Sequence, residues 1–318
     1  MQIIGNLFYI ILFTSLAGSL FALSSLFLKN ALHIAEPLWF GILGAIFFFV
    51  PFIVPEVQLF AAEDPVWIES YLLASKTWLY GGLAFLLYFF IRSIFAYAAV
   101  KKYPLLEDNR TKKIFEICKE LVPMKRYPEL RLGTLEDPAC VIIVIRPAII
   151  LNLEILNQAT DRDIKIILTH ELMHIRRNHH LFQRMYDFAC CLHWFNPFVW
   201  IAKNKFVLSC EMDCDHNTIM AVPKISTRDY AGAMLRFLEL VAGNKHSRYA
   251  QIGALSFLLT KQRFQQILFV PTVKKRILIA VVLALMISLT ITFSVFASRH
   301  YFYPYPASSI QTEYSDIQ

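Results

Sequence analysis

The residues best placed to do chemistry are His170 and His174, four apart in the run His170-Glu171-Leu172-Met173-His174. On a helix this spacing projects both imidazoles from one face, where they can hold one metal ion, with Glu171 beside water at that ion. The chemistry implied is zinc-assisted hydrolysis of a peptide bond, with Glu171 as general base that returns its proton to the leaving amine. A catalytic zinc takes three protein ligands and keeps a fourth position open. Glu211 and Asp215 are again four apart, in Ser209-Cys210-Glu211-Met212-Asp213-Cys214-Asp215-His216. Glu211 can complete the coordination, and Asp215 can accept the distal N–H of a ligating histidine and fix its tautomer. His179, His180, His193 and His216 compete for the third position, His180 being the hardest to set aside.

These side chains need helices to space them and a core to hold the helices. Thr160 or Asp161 can cap a helix running from near Asp163 to Arg177, with Ile164, Ile166, Ile167, Leu168, Leu172, Met173 and Ile175 as its apolar positions. Upstream, Arg110 to Leu121 reads as a helix. Glu129 to Leu135, Cys140 to Arg146 and Ala148 to Leu151 read as strand material, broken by Pro147. A small sheet is therefore expected to precede the catalytic helix.

The rest of the chain is too apolar for an ordinary soluble domain. Of 318 residues, 57% are hydrophobic and 17% charged, with 27 Phe, and the mean hydropathy is +0.48. Four runs are long enough to cross a bilayer: 3–28, 37–54, 77–98 with Arg92 snorkelling near its end, and 277–297 after Lys274-Lys275-Arg276. Basic residues at Lys101, Lys102, Lys112, Lys113 and Lys274 to Arg276 put residues 101–275 in the cytoplasm by the positive-inside rule. Both termini, including a short tail 298–318, are then extracellular. The expected fold is mainly α: a multi-pass cell-membrane protein with four transmembrane helices and a cytoplasmic gluzincin-like metalloprotease domain containing a small β-sheet. The apolar stretch 186–202 carries Asp187, His193, Asn196 and Pro197 and reads as a buried or interfacial segment beside the bilayer. The net charge of +7 is scattered or flanks apolar runs, so direct nucleic-acid binding is not expected. Six cysteines without a CxxC pair read as reduced structural residues.

With HELMHIRRNHHL, then Trp194 to Pro197, then Glu211 to Asp215, the chain resembles the membrane metallopeptidases of the bla and mec regulator type, the β-lactam sensor-transducers. The resemblance implies His170, His174 and Glu211 on Zn2+, Glu171 as catalyst and Asp215 behind the ligands. It further implies a cytoplasmic protein substrate such as a transcriptional repressor, with self-cleavage. The strand region before the catalytic helix, with Pro138 and Arg146-Pro147, resembles one that offers an edge to an extended substrate.

Two departures stand out. His179 occupies a place usually acidic in that family, which puts a local orienting contact in doubt. Only 21 residues follow Ala297 and no Ser-x-x-Lys occurs, so the expectation is a protease informed by a separate sensor protein, or acting as a homo-oligomer. The rival readings are a non-proteolytic signalling or scaffold protein and a prenyl-protein or intramembrane protease. The latter is disfavoured by the charged residues that follow the two histidines.

Overall fold

The computed structural model describes residues 2–30, 38–49, 65–133, 139–143, 147–243 and 263. Three apolar helices come first: α1 (Gln2–Asn30), α2 (Leu38–Phe49) and α3 (Pro65–Lys102). By length and composition, one helix among the described residues suffices to cross a membrane, Glu69–Lys102 within α3. The apolar stretches Ile10–Leu26 of α1 and Leu38–Phe49 of α2 are shorter. Of the four expected spans, one therefore meets the measure; 37–54 is described only over 38–49, and 277–297 lies outside the described residues.

α1 and α2 meet closely because Gly18 has no side chain: a Cβ there would stand 2.4 Å from the Phe48 ring. Polar residues inside α1 satisfy themselves along their own helix, Thr14 Oγ1 donating to Ile10 O at 3.0 Å and Ser19 Oγ to Ser15 O at 2.7 Å.

A second block follows: α4 (Asn109–Leu121), β1 (Glu129–Gly133), β2 (Ala139–Ile143), β3 (Pro147–Asn152), α5 (Leu153–Gln158), α6 (Asp161–Arg176), α7 (His179–Leu192), α8 (Pro197–Ala221) and α9 (Thr227–Gly243). The sheet order is β1-β3-β2, with β1 parallel and β2 antiparallel to the central β3. The strand material divides as expected into two strands, β2 ending at Ile143 and Pro147 opening β3, where its missing N–H costs least. Ile149 and Leu151 of β3 share a core with Phe115 and Cys118 of α4, Leu168 and Leu172 of α6 and Tyr230 and Phe237 of α9.

α6 starts at a full capping box: the Thr160 hydroxyl accepts from Asp163 N, and the Asp163 carboxylate accepts from Thr160 N. α6 ends at Arg176, and Asn178, whose backbone is left-handed (φ 55°), turns the chain into α7.

The segment 186–202 is a corner between two helices. Asn196 caps α8 by accepting from Phe198 N, with Pro197 as its first helical residue. The corner is tied to all three apolar helices. Asn196 Nδ2 donates to Ser15 Oγ (2.7 Å) and Ser19 Oγ (2.8 Å), and His193 Nε2 donates to Phe48 O (2.9 Å). Trp78 Nε1 donates to Leu192 O (2.7 Å), and Gly81 leaves room for the Trp194 ring.

Candidate metal centre

α6 buries one face against the sheet and turns His170 and His174 toward α8. Both are under one-tenth exposed. Their Nε2 atoms stand 3.1 Å apart. From α8, Glu211 Oε2 lies 3.5 Å from His170 Nε2 and Oε1 lies 3.4 Å from His174 Nε2. A tetrahedral ion with bonds of about 2.0–2.1 Å separates its ligands by about 3.3–3.4 Å, so the two imidazole nitrogens and the Glu211 carboxylate, which turns one oxygen to each, stand at the spacing of ligands around one zinc ion.

The far side of each imidazole is also engaged. Asp215 is fully buried; Tyr230 Oη–H donates to its Oδ1 at 2.6 Å, and Arg263 grips it through Nη2 to Oδ1 (2.6 Å) and Nε to Oδ2 (2.8 Å). His170 Nδ1 lies 3.1 Å from Tyr230 Oη and 3.3 Å from Asp215 Oδ1. Since the tyrosine proton points at Asp215, its oxygen accepts from His170 Nδ1–H. The His170 lone pair is left on Nε2, facing Glu211.

Burial opposes the charge of His170, but hydrogen bonds and charge from Asp215 and Glu211 outweigh it and raise its pKa to about 9. Burial dominates at His174 and pulls it down to about 3. Burial also works against ionisation of Glu211, yet His170, Arg263 and His174 draw it down to about 2. Asp215 goes lower still, chiefly because the Arg263 guanidinium overcomes its desolvation. Two ionised carboxylates that favour a proton on His170 make a pocket suited to positive charge, and a bound cation would take the place of that proton beside the neutral His174.

A second donor set overlaps the first, because His170, His174 and Cys214 also present ligand atoms within 4.8 Å of one another. The Cys214 sulfur, however, sits 3.4 Å from His179 Nδ1. Burial and then the charges of Glu211, Asp213, Glu171 and Asp215 push its thiol far above the ordinary range. Forming the thiolate that a metal needs is correspondingly costly. Chemistry favours Glu211.

Among the other candidates, Glu171 is half-buried on α6 between the histidines. His180 is half-buried, its ring 6.0 Å from that of His174. His193 serves the α7–α8 corner, and His216 is exposed on α8, so neither reaches the cluster. His179 is fully buried behind His174, with Nδ1 to Nδ1 at 3.2 Å. Tyr230 and Arg263, 15 and 48 positions after the Asp215 they bind, carry no local signal in the sequence.

Two histidines flanking a glutamate on one helix, met by carboxylates from a later helix, define the class of HExxH metallopeptidases. The chain belongs to the family described as BlaR1 peptidase M56, whose model matches residues 57–267. It is 24% identical over 160 residues to the methicillin resistance mecR1 protein of Staphylococcus aureus strain Mu50, covering 50% of this chain and 27% of that one. The mecR1 protein of Staphylococcus epidermidis gives the same values. The regulatory protein BlaR1 of Bacillus licheniformis is 26% identical over 140 residues, 44% of this chain and 23% of that protein. The chain thus spans about a quarter of the length of the curated relatives it matches.

Proposed function

We propose that this protein is a membrane-embedded zinc metalloendopeptidase with a regulatory role, cleaving a cytoplasmic protein of the repressor kind and itself. The observation that carries the reading is the convergence of His170 Nε2, His174 Nε2 and the two oxygens of the Glu211 carboxylate at 3.1–3.5 Å. These three residues would hold the ion, and Asp215 with Tyr230 would orient His170. The chemistry expected of zinc in that place is Lewis-acid polarisation of a carbonyl and acidification of water. Glu171 takes the proton of the attacking water as the oxygen bonds to the carbonyl carbon. It then delivers that proton to the amide nitrogen as the C–N bond breaks.

Substrate access is supported by the sheet. The outer edge of β1 is already occupied, since Leu106 N donates to Leu130 O and Leu132 N to Pro104 O. β2 forms the other edge of the sheet, and its Val141 and Ile142 line a cavity of about 700 Å³ together with Leu83 and Phe90 of α3 and His180 and Arg184 of α7, among others. An extended chain can add to that edge by β-augmentation and run past His180 toward His174. One wall belongs to α3, the helix long enough to cross a membrane, which suits a substrate met at the bilayer surface. Cytoplasmic localisation of residues 101–275 rests on the basic residues that flank the spans.

Comparing cleaved cytoplasmic proteins in cells carrying wild type or Glu171→Gln tests the proposal. A protein cut only in the wild type is the expected result. An unchanged signalling output in the variant would instead favour the non-proteolytic scaffold.

A further inference from the structure

His179 touches neither Glu211 nor the space between the two Nε2 atoms by any contact described above, yet it is fully buried and both of its ring nitrogens face polar partners. Nδ1 meets His174 Nδ1 at 3.2 Å, and Nε2 stands 3.3 Å from Asp213 Oδ2. Among the described residues, His179 Nε2 and Asp213 Oδ2 are buried atoms without an aligned hydrogen-bond partner, so a change of angle, not of distance, separates them from bonding each other. Arg177 Nε pairs with the same carboxylate oxygen and holds it in place.

We infer that Asp213 and His179 form a relay that sets the tautomer and ring angle of His174. The Asp213 oxygen that faces His179 is an acceptor, so it takes His179 Nε2–H. The lone pair of His179 is thereby on Nδ1, and it accepts His174 Nδ1–H. His174 is left with its lone pair on Nε2, the atom that faces His170 and Glu211. The reverse arrangement, with His179 donating from Nδ1, would put the His174 proton on Nε2 and close the site to a cation. Only the partner at the far end distinguishes the two arrangements, and that partner is a carboxylate. The Cys214 thiol, 3.4 Å from His179 Nδ1, competes for the same lone pair and is the weaker donor. His179 is thus a positioning residue: a histidine and a second-rank carboxylate replace one direct contact. The missing orienting contact that the sequence put in doubt is restored over one more ring.

The inference rests on the zinc reading of the site, and the test separates the two. Zinc affinity of the purified, detergent-solubilised protein is measured by competition with a chromophoric chelator, with thermal unfolding as a check on the fold. His179→Asn keeps an acceptor oxygen where Nδ1 stands, whereas His179→Gln keeps a polar atom near Nε2 and loses that acceptor. The Gln variant is expected to bind zinc about 10–100-fold more weakly, as when such supporting partners are lost elsewhere, and the Asn variant to stay within about threefold of wild type. Asp213→Ala is expected to weaken binding in the wild-type background and to add nothing in the Asn background, where the link is already cut. Equal affinities of the Asn and Gln variants, or an equal Asp213→Ala loss in both backgrounds, would overturn the relay. If zinc binding survives His170→Ala undiminished, the zinc reading itself falls and takes the relay with it.

Discussion

Glu211 and Cys214 sit one helical turn apart on α8, and the choice between them decides what kind of centre this is. A carboxylate between two imidazoles leaves a hard, open site; a thiolate would make it softer and more closed. Glu211 is held ionised by its neighbours, and Cys214 is held protonated by its burial. Removing a ligand should cost more than removing a supporting partner, so Glu211→Gln is expected to lose more than about 100-fold in zinc affinity, and Cys214→Ser to change it by less than about threefold. Chelator competition on the two purified variants gives the answer, and the opposite ranking would move the third ligand to the cysteine. Behind the ligands, Asp215 shares its two oxygens between Tyr230 and Arg263. Arg263→Met would leave a fully buried carboxylate short of its counter-charge, a loss of about 3–5 kcal/mol for such pairs, read as a lowered thermal midpoint in detergent.

At the scale of elements, α6 must begin in register for both histidines to face α8. Thr160 and Asp163 set that start, and Arg236 from α9 reaches the same carboxylate at 2.5 Å. Thr160→Ala is expected to cost about 1 kcal/mol as a lost N-cap, visible as a lower thermal midpoint. Burial pushes the Asp163 carboxyl up, but Arg236 and Thr160 prevail and hold it below the ordinary range. A carboxylate so lowered contributes its stability above the unfolded pKa of about 3.9 and loses it as the pH falls through the lower folded value. The gap between the Thr160→Ala and wild-type proteins should therefore narrow as the pH falls below about 4, by the share that the Asp163 carboxylate contributes; a gap of unchanged size down to pH 2 would contradict this.

This level was also where the sequence was most readable. The capping box, the four-residue spacings and the Val- and Ile-rich strands are local patterns, and α4, α6 and the sheet formed where those patterns lie. Pro147 was readable as the divide between β2 and β3 because the first residue of a strand tolerates a proline that a strand interior does not. Arg263, Tyr230 and the role of His179 were hidden because their partners lie 48, 60 and 34 positions away and only folding brings them together.

For the whole molecule, the apolar helices and the metal centre are one packed unit. Trp78, Phe48 and Ser15 hold the α7–α8 corner, and α8 runs from that corner directly to Glu211 and Asp215. A displacement of α1, α2 or α3 therefore has a rigid path to two of the site residues, which suits a protease governed from the membrane. The topology proposed for it is checked by Lys112→Cys, an exposed position on α4, in a background with Cys140 replaced. A membrane-impermeant maleimide should label it in inverted vesicles and not in intact cells; labelling in intact cells would reverse the orientation.

The central claim is that Glu171 performs peptide hydrolysis at a metal held by its neighbours. Its most direct test is self-cleavage by the purified, zinc-loaded protein, wild type against Glu171→Gln, with zinc content measured on the same samples. The account predicts equal zinc in both and a loss of about 10²–10⁴-fold in cleavage rate for the variant. Undiminished cleavage by a Glu171→Gln protein that retains its zinc would contradict it.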